Sequence, residues 1–187
     1  MAVIGLTFEP ENTIRSFTRA LELGVDQVEL DVHLTKDREL VVIHDASVNR
    51  TTNGQGYVGD FTLEAIRRLD AGAGERIPTL QEAINVVKGR AILQIELKGR
   101  GVEEAVVNCV EANGVVDEVV VTSFRHSMVK KVTVLNPRVS TGVLFACLPI
   151  DAARLAVDAG AQALHANVNY IDAYLVEAGH LCGLKVR

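Results

Sequence analysis

The sequence predicts an α/β fold, a (β/α)8 TIM barrel formed as one domain over residues 1–187. Short, nearly continuous apolar segments alternate with amphipathic helical segments along the chain, which is typical of a parallel sheet covered by helices. No glycine-rich phosphate-binding turn follows the first apolar segment, which argues against a doubly wound open sheet. Several predicted strands instead end in polar residues, where barrels of this type gather their active sites.

Each predicted element follows from its apolar spacing. The strands are 3–5, 27–32, 40–43, 91–96, 119–123, 141–145 and 163–165. The helices are 11–24, 102–113, 126–135, 151–159 and 171–182, and Thr62 and Thr79 are expected to cap two more. Residues 35–38 form the turn between the second and third strands, and residues 33–61 form a small insertion.

Composition and charge limit the class of protein. A formal net charge of -5 and the lack of a Lys/Arg cluster argue against nucleic acid as a partner. No apolar run approaches the roughly 20 residues of a membrane span, and the first residues do not resemble a signal peptide. We therefore expect a cytoplasmic protein. The cysteines, expected to be buried free thiols in a reducing compartment, are Cys109, Cys147 and Cys182.

Two carboxylates share one face of the second predicted strand. Side chains alternate along a strand, so Glu29 and Asp31 point one way and their apolar neighbours the other. Adjacent carboxylates repel unless a cation lies between them or one of them holds a proton. The alternative is a surface hairpin with a polar outer face.

A second polar set lies on the predicted strand 91–96. Alternation places Gln94, Glu96 and Lys98 on one face. An ionised glutamate on a strand covered on both sides must be paired or bound to metal. The sequence leaves two roles for Glu96, an ion pair with Lys98 and a metal ligand.

Glu29, Asp31 and Glu96 together offer three hard oxygen ligands, which suit Ca²⁺ or Mg²⁺ with positions left for water and a phosphate oxygen. His44 is next to Asp45 at a strand end and is a natural general acid or base. His33 is expected to face helices or solvent. The remaining histidines, expected to be structural, are His126, His165 and His180.

Several short motifs occur in an order that resembles the glycerophosphodiester phosphodiesterase family. They are Pro10-Glu11-Asn12-Thr13, Glu29-Leu30-Asp31-Val32, Thr35-Lys36-Asp37, Val42-Ile43-His44-Asp45, Asn49-Arg50-Thr51-Thr52-Asn53-Gly54, Ile77-Pro78-Thr79-Leu80 and Ile95-Glu96-Leu97-Lys98. The resemblance runs from about residue 9 to the end. It implies a TIM barrel that hydrolyses glycerophosphodiesters to glycerol 3-phosphate and an alcohol with a divalent cation, in glycerol and lipid metabolism.

The resemblance also implies roles for single residues. The implied metal ligands are Glu29, Asp31 and Glu96, the catalytic acid or base is His44, and the substrate-binding residues are Lys98, Glu11, Asn12 and Arg50. For Arg50 a purely structural place in a turn is an equal alternative. The glycerol hydroxyl is expected to attack first and give a cyclic phosphate, which water then opens.

The sequence departs from the family pattern in two places. The family carries His-Arg-Gly after its first strand, whereas Leu6 directly follows Gly5 here, so a second catalytic histidine and a phosphate-binding arginine are missing. A real loss would leave proton transfer with one partner and sharply cut activity. The alternative is that the first active-site loop is left out of this sequence, which the retention of every other motif favours. The family also continues beyond Arg187, so the barrel is expected to be incomplete or to be closed by a partner chain, such as a second copy in a homo-oligomer.

Two other functions remain open on the sequence. The missing His-Arg pair favours a catalytically silent barrel that binds phosphodiesters or metal without turnover. Another PLC-like phosphodiesterase of the same superfamily is the other alternative, against which residues 50–56 favour glycerol diesters over inositol lipids.

Overall fold

The computed structural model describes residues 2–3 and 9–187, and the chain divides into two compact units, residues 1–119 and 120–187. Residues 4–8, where the sequence departs from the family motif and where the first predicted strand ends, lie outside the described residues. Strands and helices alternate within each unit, which confirms the predicted α/β class.

The strands of the first unit place the polar residues singled out above. They are β1 (Ala2–Val3), β2 (Gln27–Leu34), β3 (Leu40–Val42) and β4 (Ile92–Leu97). β1 and β4 run parallel to β2, and β3 runs antiparallel to it. The register of β2 and β4 sets Asp31 opposite Glu96 and Glu29 opposite Gln94. Because neighbours in register project to the same face, the two polar sets meet.

Strand β2 is longer than predicted, since it ends at Leu34 rather than at residue 32. Its last three residues pair with β3 across the turn. The turn closes on Thr35, whose hydroxyl donates to Asp37 Oδ1 at 2.6 Å and accepts from the Glu39 amide at 2.9 Å. His33 therefore belongs to the strand and continues the face of Asp31.

The helices described in the first unit are α1 (Ile14–Glu22), α2 (Leu63–Ile66), α3 (Leu80–Val87) and α4 (Glu103–Ala112). The first three of these begin at side-chain caps. Thr62 and Thr79 cap α2 and α3, as predicted. Helix α1 begins later than predicted because Thr13 and Ser16 form a capping box ahead of it.

An apolar cluster joins part of the predicted insertion at 33–61 to the residues that follow it. This cluster is formed by Val41, Ile43, Val48, Val58, Ile66, Ala71 and Ile77. Ile43 and Val48 lie on either side of the segment that carries His44 and Asp45, and both are at least 98% buried. The loop with the candidate catalytic histidine is thus anchored at both ends by buried apolar side chains.

The second unit repeats the β/α pattern. Its elements are β5 (Val119–Ser123, which begins at the unit boundary), α5 (His126–Leu135), β6 (Ser140–Phe145), α6 (Ala152–Ala159), β7 (Ala163–Ala166), α7 (Ala173–Leu181) and β8 (Lys185–Val186). Each strand pairs in parallel with the next. Apolar residues of β6, β7 and the three helices pack into one cluster. The predicted boundaries of β5, α5, β6, α6, β7 and α7 agree with the structure within two residues.

Two cysteine predictions need correction. All three thiols are free, as expected, but Cys147 and Cys182 are exposed and only Cys109 is partly buried. The exposed pair lies in the connection after β6 and at the end of α7, where the chain leaves the packed elements. Among the described residues, no helix is long and apolar enough to cross a membrane.

Candidate active site with a carboxylate cluster

Three carboxylates converge where β2 and β4 run side by side. Glu29, Asp31 and Glu96 each offer one oxygen, and these oxygens lie within 4.8 Å of one another. Asp31 and Glu96 are buried, and Glu29 is partly buried. In the described part of the chain this is the one group of three or more acidic, histidine or cysteine side chains so arranged. The structure therefore brings together the three residues predicted as metal ligands.

Lys98 is the cation of this cluster. Its Nζ lies 2.9 Å from Glu96 Oε1 and 3.6 Å from Asp31 Oδ1. Burial by itself would lower the pKa of Lys98, but the contacts with Glu96 and Asp31 outweigh it and raise that pKa. The Glu96–Lys98 ion pair considered from the sequence is thus present. Three carboxylates still face one ammonium group, which leaves an excess of negative charge.

One buried oxygen of the cluster accepts no hydrogen bond from the residues that the structure describes. Asp31 Oδ2 accepts from Asn12 Nδ2 at 3.0 Å, whereas the buried Oδ1 has the Lys98 ammonium 3.6 Å away and no hydrogen bond. A buried acceptor without a hydrogen bond costs about 1–3 kcal/mol of desolvation, which the more distant Lys98 charge offsets in part. Ca²⁺ and Mg²⁺ bind to carboxylate oxygens of this kind. The donor set and the unsatisfied oxygen fit a divalent cation at this position.

Glu29 shows the electrostatic cost of the cluster. Burial, together with the nearby charges of Asp31 and Glu96, raises the pKa of Glu29 to about 8. Burial likewise raises the pKa of Glu96, although Lys98 opposes the rise. Without a cation, Glu29 holds its proton at neutral pH, and a cation would have to displace it.

Cation binding is therefore expected to depend on pH. Affinity for Ca²⁺ or Mg²⁺ should rise from about pH 6 to pH 8, with release of roughly one proton per cation at the lower pH. Titration calorimetry in buffers of different ionisation enthalpy measures that proton. An affinity that does not change with pH, with no proton released, would contradict the pKa of Glu29.

The same pKa predicts how stability of the metal-free protein changes with pH. The folded value of about 8 exceeds the ordinary value of 4.5, so Glu29 costs no stability below about pH 4.5. Between these values the unfolded chain loses the proton first, and stability falls as pH rises. Glu29→Gln should flatten this fall in melting temperatures measured between pH 5 and pH 8. Glu22→Gln, at an exposed position on α1, is the control and should leave the slope unchanged.

His44 is held by a chain of ion pairs. Its Nδ1 lies 2.7 Å from Asp45 Oδ1, and Arg50 donates to both oxygens of Asp45 at 2.8 and 2.9 Å. Arg50 also donates to both oxygens of Glu11, at 2.8 and 2.7 Å. The hydrogen bonds from Arg50 and then from His44 hold the pKa of Asp45 well below its usual range.

This network sets the tautomer of His44. An ionised Asp45 can only accept, so Nδ1 of His44 carries the hydrogen between them. Nε2 is then the nitrogen available for proton transfer. The His44 side chain is 48% exposed, which leaves it open to a substrate.

The residues predicted to bind substrate lie at this site in contact with protein groups. Glu11 and Arg50 bind each other, and the hydrogen bond from Arg50 lowers the pKa of Glu11. Asn12 brackets Asp31, because its Nδ2 donates to the side chain and its Oδ1 accepts from the Asp31 amide at 3.3 Å. Their direct contact with substrate remains a prediction.

The structure places His33 differently from the sequence prediction. We expected it to face helices or solvent, but it is 7% exposed and its Nε2 lies 3.1 Å from the carbonyl oxygen of His44. Burial lowers the pKa of His33 below its ordinary value. The error came from ending β2 at residue 32. The two-residue spacing from Glu29 through Asp31 was the signal that places His33 on the same face.

Three clustered carboxylates, the lysine paired with them and a histidine oriented by Asp45 make up the site of a hydrolase. Known proteins match it. The sequence profile of the glycerophosphoryl diester phosphodiesterase family matches residues 7–187. A glycerophosphodiester phosphodiesterase of Caldanaerobacter subterraneus subsp. tengcongensis is 42% identical over 95% of this chain and 78% of its own. One of Bacillus altitudinis is 40% identical over 72% of this chain and 61% of its own.

Solved structures agree with these matches. A glycerophosphodiester phosphodiesterase from Agrobacterium tumefaciens superimposes with a TM-score of 0.84 at 30% identity, covering 96% of this chain and 80% of its own. A phosphodiesterase from Oleispira antarctica, solved with the product sn-glycerol-3-phosphate, gives 0.84 at 30% identity, covering 95% and 77%. The chain belongs to the glycerophosphoryl diester phosphodiesterase family, and the predicted TIM-barrel fold class is confirmed.

Proposed function

We propose that this protein hydrolyses glycerophosphodiesters to glycerol 3-phosphate and an alcohol with a bound divalent cation, Ca²⁺ or Mg²⁺. The observation that carries the proposal is the carboxylate cluster of Glu29, Asp31 and Glu96 in a member of this family. The product named for the Oleispira antarctica structure is the one that this reaction releases.

The cation would be held by the three carboxylates of the cluster. When bound, it supplies a Lewis acid for a non-bridging phosphate oxygen and offsets the charge that develops there. Asn12 keeps Asp31 in place through its two hydrogen bonds. Lys98 is the cationic side chain at the cluster, and we assign it to a phosphate oxygen, for which an ammonium group is a point-charge partner.

His44 moves the proton. With Nδ1 fixed on Asp45, its Nε2 accepts a proton from the attacking hydroxyl of glycerol or water, or returns one to the departing oxygen. The glycerol hydroxyl attacks first, a cyclic phosphate forms as the alcohol leaves, and water opens the ring. Because the second histidine of the family motif is missing from this sequence, His44 has to serve as base and acid in turn.

Turnover of glycerophosphocholine tests this function. With Ca²⁺ or Mg²⁺ present, we expect glycerol 3-phosphate and choline in equal amounts, each measured by a coupled oxidase assay. EDTA should abolish the reaction, and an excess of either cation should restore it. If neither product forms with either metal, this protein does not hydrolyse glycerophosphodiesters.

A second candidate function is phosphodiester binding without turnover. The observation in its favour is the direct step from Gly5 to Leu6, where the family carries His-Arg-Gly. A silent protein would bind glycerophosphocholine in calorimetry with the cation present, yet release no product. Inserting His-Arg-Gly between Gly5 and Leu6 should then create turnover, whereas an active protein should gain little from the same insertion.

The wider assignments are proposals of the same kind. We place the protein in the cytoplasm and in glycerol and lipid metabolism, with a small glycerophosphodiester as its partner molecule. We also propose that the protein forms a homo-oligomer in solution. Cell fractionation tests the location, and light scattering of the purified protein tests the oligomeric state.

A further inference from the structure

We propose that His33 is a positioning residue for the reaction, which holds the peptide of His44 while Asp45 holds its ring. The contact that carries the proposal joins His33 Nε2 to the carbonyl oxygen of His44 at 3.1 Å. The proposal rests on the function proposed above, because it assigns His33 to the catalytic histidine of that reaction.

The chemistry of this contact fixes its direction. A carbonyl oxygen can only accept a hydrogen bond, so Nε2 of His33 must carry the hydrogen. The bond is partly buried, since His33 is 7% exposed whereas His44 is an exposed residue. A partly buried hydrogen bond restrains its acceptor more firmly than one that competes fully with water.

Gly99 keeps the imidazole of His33 in place from the other side. A Cβ added to Gly99 would lie 3.0 Å from His33 Cα and 3.4 Å from His33 Nδ1. The amide of Gly99 donates to the Val32 carbonyl oxygen at 3.0 Å, so the end of β4 is tied to β2 beside His33. The ring is thus confined between the backbone at Gly99 and the His44 peptide, and it has little freedom to turn away.

The two contacts of His44 restrain different motions. The bond from Nδ1 to Asp45, 2.7 Å long, sets the rotation of the ring. The bond from His33 sets where the backbone of the loop places that ring relative to the carboxylates. Proton transfer requires both, and a misplacement of about 1 Å costs on the order of 100-fold in rate. His33 therefore acts through His44 and does not itself touch the substrate.

Three substitutions at position 33 test whether a hydrogen-bond donor at the position of Nε2 is required, or whether any side chain that preserves the fold is enough. The amide nitrogen of glutamine lies as many bonds from Cβ as imidazole Nε2, whereas that of asparagine matches Nδ1 and falls short. His33→Gln should retain most of the activity. His33→Asn and His33→Leu should lower kcat on glycerophosphocholine about 10- to 100-fold, with KM and calorimetric Ca²⁺ affinity within about 3-fold of wild type.

Hydrogen exchange gives a readout that does not depend on turnover. Without the tether, the amides of residues 43–46 should exchange faster in His33→Asn and His33→Leu than in wild type or His33→Gln. The matched control is His126→Leu, because His126 Nε2 also contacts a carbonyl oxygen, that of Leu144, at 2.8 Å. This control should lower the melting temperature without changing kcat.

The outcomes separate the two proposals. Suppose that wild type is active, that His44→Gln is not, and that the three variants at position 33 have the same kcat and the same exchange rates. The positioning role is then wrong and the proposed function stands. A loss of Ca²⁺ affinity in parallel with kcat would also overturn it, because His33 would then support the metal cluster. If wild type releases no product, the proposed function and the positioning role fail together. Faster exchange and a low kcat in His33→Asn and His33→Leu, but not in His33→Gln, support the positioning role.

Discussion

Glu96→Gln is expected to lower kcat on the order of 1,000-fold, which corresponds to about 4 kcal/mol of transition-state stabilisation. It should also weaken Ca²⁺ or Mg²⁺ binding roughly 100-fold or more, because a negative ligand in direct contact with the cation is lost. The metal-free variant should melt at a higher temperature than wild type, since the substitution removes a charge that burial disfavours and that repels Asp31, and these costs outweigh the pairing with Lys98. Calorimetry, initial rates and thermal melts measure the three effects.

The control for this result is Glu103→Gln. Glu103 is a buried glutamate in the first turn of α4 and is not part of the cluster. The same change of charge and shape there should leave metal affinity and kcat within about 3-fold. If Glu96→Gln keeps wild-type affinity for both cations, the cluster is not the metal site, and the Glu96–Lys98 pair is purely structural.

His44→Gln is expected to lower kcat about 100- to 10,000-fold, the usual size of a general acid–base contribution. The amide of glutamine corresponds in reach to imidazole Nε2 and not to Nδ1, so the substitution loses the hydrogen bond to Asp45 as well as the nitrogen that accepts and returns a proton. Affinity for the cation should stay within about 3-fold, because His44 is not one of the clustered ligands. Initial rates at saturating glycerophosphocholine measure the loss.

Changing the leaving group tells which proton His44 moves. A p-nitrophenyl diester of glycerol phosphate releases a weak base that departs without protonation, so the defect should shrink if His44 acts as the acid. An equal defect on both substrates would limit His44 to the proton of the attacking hydroxyl and contradict the double role proposed above. His180→Gln, at an exposed position on α7, is the control. Wild-type rates for His44→Gln on both substrates would remove His44 from the mechanism.

Local patterns in the sequence predicted most of the elements. Strand β5 and helix α5 begin and end as predicted, and Thr62 and Thr79 cap their helices. These features depend on residues close together in the chain: apolar spacing, capping side chains and turn residues. The same local rule placed Glu29 and Asp31 on one face.

Errors arose where a contact distant in sequence decided the outcome. The pairing with β3 extends β2 to Leu34 and carries His33 into the site. Arg50 could not be assigned partners from the sequence, because Glu11 lies 39 residues away. The prediction that Cys147 and Cys182 are buried was wrong for a similar reason. A small apolar residue at the end of an element is buried only if another element covers it.

Sequence patterns were sufficient to predict the α/β class, the acidic residues of the cluster and the faces on which they lie, because strand periodicity is a property of neighbouring residues. The tertiary structure decided which of these residues meet. Register between β2 and β4 puts Asp31 against Glu96, and loop packing brings Asp45, Arg50 and Glu11 into one network around His44. Only that packing buries Glu29 and Glu96, and the raised pKa values of these two carboxyl groups follow from it.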